Sequence, residues 1–249
     1  MATYVLVPGY WLGAWAWDEV AGRLRAAGHR VHAVTLPGLA ERAAQDIRAA
    51  AEVDLDAHID DLVSLIEGED LRDVVLVAHS GAAMPVTGAA DRIPERLARV
   101  VYVDTAPLPS GMAQQDFLDP EERAETERRV AEEGGGVMMP PPPFDPAADP
   151  AGLAGLSPER LAELRGRATP QPYRTATQPL PRPDRLPDTP KTMIATSIPL
   201  PLVKELAAGG NPVFAAMTGP EWSHLELPTG HWPMLSRPAD LAGLLADLA

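Results

Sequence analysis

Residues 74–83 read VVLVAHSGAA, an unbroken apolar run that leads into a serine among small residues. Val74 to Ala78 are all apolar, which is typical of a strand in a parallel sheet that helices cover on both faces. A helical pattern begins after Gly81. Ser80 is therefore predicted to lie on a sharp turn between a buried strand and a helix. Ligands of open parallel sheets bind beyond the carboxyl ends of the strands, so we expect a functional site here.

Short apolar runs alternate with helical patterns on both sides of this stretch. The alternation predicts an α/β fold: a mostly parallel sheet of about six strands, with helices covering both faces. The predicted strands are Tyr4–Val7, Val31–Thr35, Val74–Ala78, Val100–Val103, Thr192–Ala195 and Trp222–Leu227, and the predicted helices outside the insertion are Trp15–Ala27, Leu55–Glu67, one after Gly81, Pro199–Ala208 and Pro238–Leu248.

Proline divides the chain, because 19 of its 28 copies lie between Pro107 and Pro201. Core strands and long helices are disfavoured in such a stretch. We therefore expect residues 106–189 to be a cap or lid inserted into a core formed by residues 1–105 and 190–249. Two helices are predicted within the insertion, over Asp119–Glu133 and Ser157–Arg167.

Composition excludes several classes of function. The 249 residues carry a net charge of −14, which opposes binding to nucleic acid or to an anionic membrane. Cysteine is absent, so disulfides, thiolate metal sites and cysteine nucleophiles are ruled out. No secretory signal or apolar run of membrane-spanning length is apparent, and the expectation is a soluble cytoplasmic protein of unknown oligomeric state.

The turn at Ser80 resembles the nucleophile elbow of the α/β-hydrolase superfamily. The usual elbow sequence is G-x-S-x-G, whereas Ala78 and Ala82 replace the glycines here. The resemblance extends to VPGYWLGAW, TLPGLAER, VYVDTAPLP and TGHWPMLSRP, and is strongest toward a small cofactor-free branch of esterases and hydroxynitrile lyases. It implies a mechanism without metal or organic cofactor. The structural alternative is that Ser80 only caps the following helix.

A serine hydroxyl needs a base, and His231 is the best candidate. It lies after the last predicted strand, where the hydrolase base belongs. His79 adjoins Ser80 and is predicted to pack or to form a pocket wall. The other four histidines are predicted to be structural or solvated: His29, His32, His58 and His224.

A carboxylate must orient the histidine, and Asp104 is the preferred candidate. It follows the strand next to the elbow strand, a position from which some members of the superfamily take their acid. Glu226 is the alternative because it is close to His231 in sequence, although it lies within a predicted strand.

The resemblance also suggests how an oxyanion would be bound. The segment after the first strand is similar to the HGxxxGxW stretch of plant methylesterases and hydroxynitrile lyases, with Pro8 in place of histidine. By position, the backbone N–H groups of Tyr10 and Gly81 would form the oxyanion hole, with Trp11 as a substitute for Tyr10.

Together these residues predict a serine hydrolase that cleaves a small, apolar carboxylic ester or lactone. Two alternatives remain open: a lyase or cyclase that uses the same residues as acid and base, and a ligand-binding protein without turnover. Trp232 stands where cyanohydrin-cleaving relatives carry lysine, which argues against that chemistry. The candidate pocket-lining residues are Trp11, Trp15, Phe117, Met138, Met139 and Trp232.

Overall fold

Six parallel strands form the central sheet of the computed structural model, which describes residues 1–249. The strands of the protein are β1 (Thr3–Val7), β2 (Arg30–Ala33), β3 (Val74–His79), β4 (Leu97–Val103), β5 (Met138–Met139), β6 (Gln171–Pro172), β7 (Lys191–Ala195) and β8 (Trp222–Glu226). The order across the central sheet is β2-β1-β3-β4-β7-β8, and all five neighbouring pairs are parallel. A separate two-stranded antiparallel ribbon joins β5 to β6.

Helices cover both faces of the sheet, so the predicted fold class is confirmed. The helices are α1 (Asp18–Ala26), α2 (Ile47–Ala51), α3 (Leu55–Gly68), α4 (Ala83–Arg92), α5 (Pro120–Glu132), α6 (Pro158–Arg167), α7 (Arg174–Thr177), α8 (Leu200–Ala208), α9 (Pro212–Ala215), α10 (Pro233–Ser236) and α11 (Pro238–Ala246). None of them is long and apolar enough to cross a membrane.

The side chains of β3 show how the sheet separates two cores. Val74, Leu76 and Ala78 belong to one buried cluster, which includes residues of α3, α4, α8 and α9. Val75 and Val77 belong to a second cluster, which includes residues of α1 and α11. Successive side chains of a strand point to opposite faces, so the unbroken apolar run seen in the sequence serves both cores.

The chain between β4 and β7 contains short elements that the proline content favours. Asp119 caps α5 through the backbone N–H groups of Glu121 and Glu122, and Pro120 occupies the first turn. Ser157 caps α6 in the same way. Both predicted helices in this stretch are thus confirmed. The division of the chain into a core and a lid stays a prediction.

Candidate active site

Ser80 lies on a strained turn between β3 and α4. Its φ is +51°, in the left-handed region that non-glycine residues rarely adopt. The loop after β1 crosses this turn so closely that a Cβ on Gly9 would lie 2.8 Å from Cβ of Ser80. A Cβ on Gly81 would lie 2.6 Å from the ring of Tyr10. At this turn the close contacts therefore require glycine at positions 9 and 81, whereas Ala78 and Ala82 are accommodated as buried residues.

Ser80, His231 and Asp104 form one continuous chain of hydrogen bonds. Nε2 of His231 is 2.8 Å from Oγ of Ser80, and Nδ1 of His231 is 2.6 Å from Oδ2 of Asp104. An ionised carboxylate can only accept, so the imidazole donates from Nδ1 and its Nε2 accepts from the serine hydroxyl. This is the arrangement in which an imidazole can act as a base toward a hydroxyl.

The Asp104 carboxylate is buried but well supplied with donors. Its side chain is 1% exposed. The backbone N–H groups of Thr196 and Ser197 donate to Oδ1, at 3.1 and 2.9 Å, and the Ser197 hydroxyl donates to Oδ2 at 2.5 Å. Burial alone would raise the pKa of Asp104, but the hydrogen bonds that it accepts from His231, Ser197 and Thr196 hold that pKa well below its ordinary value.

Glu226, the alternative acid, is not brought to His231. It is exposed and accepts a hydrogen bond from the backbone N–H of Leu200 at 3.1 Å. Its carboxylate thus binds the first turn of α8, where a negative charge interacts favourably with the positive end of the helix dipole.

His79 is buried beneath His231. Its Nε2 is 2.7 Å from the backbone oxygen of His231, and because a carbonyl only accepts, His79 donates from Nε2. Burial, together with the nearby His231 imidazole, lowers the pKa of His79 to about 3, so this ring is neutral at pH 7. His79 thus helps to fix the backbone that carries His231, a contact that the sequence did not predict.

The backbone N–H of Tyr10 has no backbone partner in the protein. That of Gly81 lies in the first turn of the helical segment that begins at Ser80, where backbone N–H groups have no intrahelical partner. The N–H of Trp11, by contrast, donates to Oε1 of Gln171 at 3.2 Å. Trp11 itself adopts a left-handed φ of +67°. Its N–H is therefore occupied, and Tyr10 is left as the donor that could pair with Gly81.

Two cavities meet at Ser80 and His231. The first, of about 300 Å³, lies beside Tyr10 and Gly81; the second, of about 220 Å³, lies on the Asp104 side. The distal wall of the first is partly polar, with Gln115, Thr126, Arg129 and Tyr173. The second is lined largely by apolar side chains, namely Ala106, Leu108, Phe117, Met193, Ile198, Val213 and Phe214.

Of the candidate pocket-lining residues, Trp11 and Met139 line the first cavity and Phe117 lines the second. Trp15, Met138 and Trp232 line neither cavity.

The physical reasons for these three exceptions differ. Trp15 is 8% exposed and stacks beneath the Arg167 guanidinium, which lies 4.5 Å from its ring centre. Trp232 is 4% exposed and packs edge-on behind His231, with 5.0 Å between the ring centres. Met138 alternates with Met139 on β5 and so points to the other side of the ribbon.

The chain belongs to the alpha/beta hydrolase family, whose family model matches residues 4–244. It is 44% identical to a carbendazim-hydrolysing esterase of Nocardioides sp. (strain SG-4G) over 104 residues, 42% of each chain. It is 36% identical to Methylesterase 7 of Arabidopsis thaliana over 105 residues, 40% of this chain and 38% of that one. The matches thus span well under half the length of these curated relatives.

A solved structure resembles the whole chain. An extracellular α/β-hydrolase from a Paenibacillus species, described as sharing structural and functional homology with tobacco Salicylic Acid Binding Protein 2, superposes with a TM-score of 0.76. The match covers 100% of this chain and 99% of that one, at 22% identity. The likeness therefore concerns the fold.

Proposed function

We propose that this protein hydrolyses a small, largely apolar carboxylic ester or lactone through an acyl-enzyme on Ser80. The observation that carries the proposal is the continuous hydrogen-bonded chain from Asp104 through His231 to Ser80, at the meeting point of two cavities. Membership of the alpha/beta hydrolase family supports the same chemistry. So do the two curated relatives that match part of the chain, since both are named as esterases.

In this proposal, Nε2 of His231 takes the proton of Ser80 as Oγ attacks the substrate carbonyl. The N–H groups of Tyr10 and Gly81 receive the negative charge that develops on the carbonyl oxygen. His231 then returns the proton to the leaving alkoxide. Water repeats the cycle on the acyl-enzyme and releases the acid, while Asp104 stabilises the charged imidazole.

The lining of the second cavity favours a substrate with one apolar substituent. An apolar group of modest size suits the 220 Å³ cavity beside Phe117 and Phe214. The net charge of −14 disfavours a strongly anionic substrate. The roles assigned to Ser80, His231, Asp104, Tyr10 and Gly81, and the cytoplasmic location expected from the sequence, are part of the proposal.

The first test is covalent labelling with a fluorophosphonate probe, followed by peptide mapping. We expect modification of Ser80 in the wild-type protein and none in the His231→Ala variant, since the hydroxyl then lacks its base. Hydrolysis of p-nitrophenyl butyrate should fall by a factor on the order of 10⁶ in Ser80→Ala, by analogy with serine proteases.

The acid is tested on the same ester with a matched pair of variants. Asp104→Asn should lower turnover by a factor on the order of 10⁴, whereas Glu226→Gln should change it less than twofold. A folded wild-type protein that neither labels nor hydrolyses the ester would contradict the proposed function. A large loss confined to Glu226→Gln would instead contradict only the choice of acid.

A further inference from the structure

Gln114 is shared by both cavities. Only Ser80, His231 and Gln114 line the first and the second cavity together. The first two are the proposed nucleophile and base. Gln114 comes from the stretch after β4, at the start of a short helical turn over Gln114–Phe117. Any substrate that spans both cavities must pass all three side chains.

The Gln114 amide has no partner within the protein. Its Oε1 is buried and accepts no hydrogen bond. The neighbouring amides are paired: Gln115 accepts from the Tyr173 hydroxyl at 3.1 Å. Gln171 accepts from the N–H of Trp11 at 3.2 Å and donates to the Thr175 hydroxyl at 2.9 Å. A buried acceptor left unpaired costs about 1–3 kcal/mol, so an unpaired acceptor in the lining of both cavities indicates a ligand contact.

The backbone beneath Gln114 is firmly held. The Asp116 carboxylate accepts a hydrogen bond from the N–H of Ala113 at 2.8 Å. Just before it, the N–H of Gly111 donates to the oxygen of Leu180 at 2.9 Å, and the N–H of Leu180 donates to the oxygen of Met112 at 3.0 Å. The amide is thus presented from an anchored turn.

We propose that Oε1 of Gln114 accepts a hydrogen bond from the substrate, and that the preferred substrate carries an N–H or O–H one or two atoms from the scissile carbonyl. An α-hydroxy ester or a carbamate ester has this chemistry, and a plain alkyl ester does not. The proposed position of the scissile carbonyl is at Ser80 and His231, and Gln114 is the third side chain that lines both cavities there, so it is the group available to the atoms next to that carbonyl. This inference rests on the proposed hydrolase function.

The test compares two methyl esters that differ by one hydroxyl: each enantiomer of methyl mandelate, and methyl phenylacetate. The readout is kcat/KM for the better methyl mandelate enantiomer divided by kcat/KM for methyl phenylacetate. The two esters differ in intrinsic reactivity by the same factor in every variant, so a change in this ratio reports on the protein. Gln114→Leu should lower this ratio about fivefold, the central value expected for the loss of one neutral hydrogen bond. Gln45→Leu, at an exposed glutamine that lines neither cavity, is the control and should leave the ratio within about twofold.

Gln114→Met, which keeps nearly the same volume, serves as a second variant in case Gln114→Leu fails to fold, and it should lower the ratio similarly. An unchanged ratio in a folded variant overturns the role of Gln114. Labelling of Ser80 by fluorophosphonate without hydrolysis of either methyl ester overturns the substrate class. If the folded wild-type protein is not labelled and hydrolyses no ester, the proposed function itself is overturned, and this inference falls with it.

Discussion

The Asp104 carboxylate is supported by the strand next to its own. Asp104 follows β4 with a left-handed φ of +50°, and three of its four donors come from Thr196 and Ser197 at the end of β7. A residue in this strained conformation persists only where its surroundings hold it. The hydrogen bonds from β7 provide that support, and they keep the carboxylate charged and aimed at His231.

Replacing Ser197 with alanine should therefore weaken catalysis without abolishing it. The variant loses one hydrogen bond to a charged group, worth about 1.5–3 kcal/mol, while both backbone N–H donors remain. We expect kcat on a p-nitrophenyl ester to fall about tenfold, far less than in Asp104→Asn. Ser223→Ala is the matched control, because the Ser223 hydroxyl is 2.8 Å from that of Thr192, within the β7–β8 pair. Equal activity of the Ser197 variant and this control would refute the role given to Ser197.

At the scale of elements, the loop after β1 and the turn after β3 are built as one unit. β1 and β3 are adjacent and parallel, so their carboxyl ends meet at the same edge of the sheet. Gly9 allows the loop to lie directly on Ser80 and His79. The oxyanion hole proposed for the Tyr10 and Gly81 N–H groups depends on this contact, because it sets the loop against the turn.

A methyl group at Gly9 should push these two elements apart. It would lie 2.9 Å from Nδ1 of His79 and 3.0 Å from the His79 backbone oxygen, as well as against Ser80. For Gly9→Ala we expect a 10²- to 10³-fold fall in kcat, the usual effect of losing one oxyanion donor, and about 1–3 kcal/mol less stability. Gly22→Ala in α1 meets nothing within 4 Å and should retain full activity with slightly higher stability. Full activity of Gly9→Ala would show that this close contact does not position the oxyanion donors.

The elements could be predicted from the sequence because their signals are local. The apolar run of β3 and the capped starts of α5 and α6 are each encoded by adjacent residues. The proximity of Ser80, Asp104 and His231 was predictable for a related reason: parallel strands align their carboxyl ends, and each residue follows a predicted strand.

The contacts between distant residues could not be predicted in this way. Ser197 approaches Asp104 only because β4 and β7 are neighbours, although the two residues are 93 positions apart. The signal in the sequence is Ser197 itself, a hydroxyl that closely follows the predicted strand Thr192–Ala195. Gln114 shows no periodic pattern, and its place between the cavities depends on how a loop-rich stretch folds back over the sheet. Trp232 was expected in the pocket, yet the residue after His231 points back into the core.

At the scale of the whole molecule, two buried histidines make folding sensitive to acid. His58 is 2% exposed on α3, and Nε2 donates to the oxygen of Pro37 at 2.8 Å. Burial lowers its pKa to about 4, and that of His79 to about 3. The ordinary histidine pKa is near 6.5, so below that value the unfolded chain binds protons that the folded chain does not.

The free energy of unfolding should therefore fall as pH drops from about 6.5 toward 4, by up to about 1.4 kcal/mol per pH unit for each histidine. Above pH 6.5 both states are neutral at these positions, so the effect vanishes. Urea unfolding measured between pH 8 and pH 5 tests this, before most carboxylates titrate. His58→Gln keeps an N–H donor for Pro37 but cannot titrate, so its stability should decline less steeply than that of the wild type over this range. If the free energy of unfolding of the two proteins fell equally between pH 8 and pH 5, His58 would gain its proton in the folded state over this range, contrary to its burial.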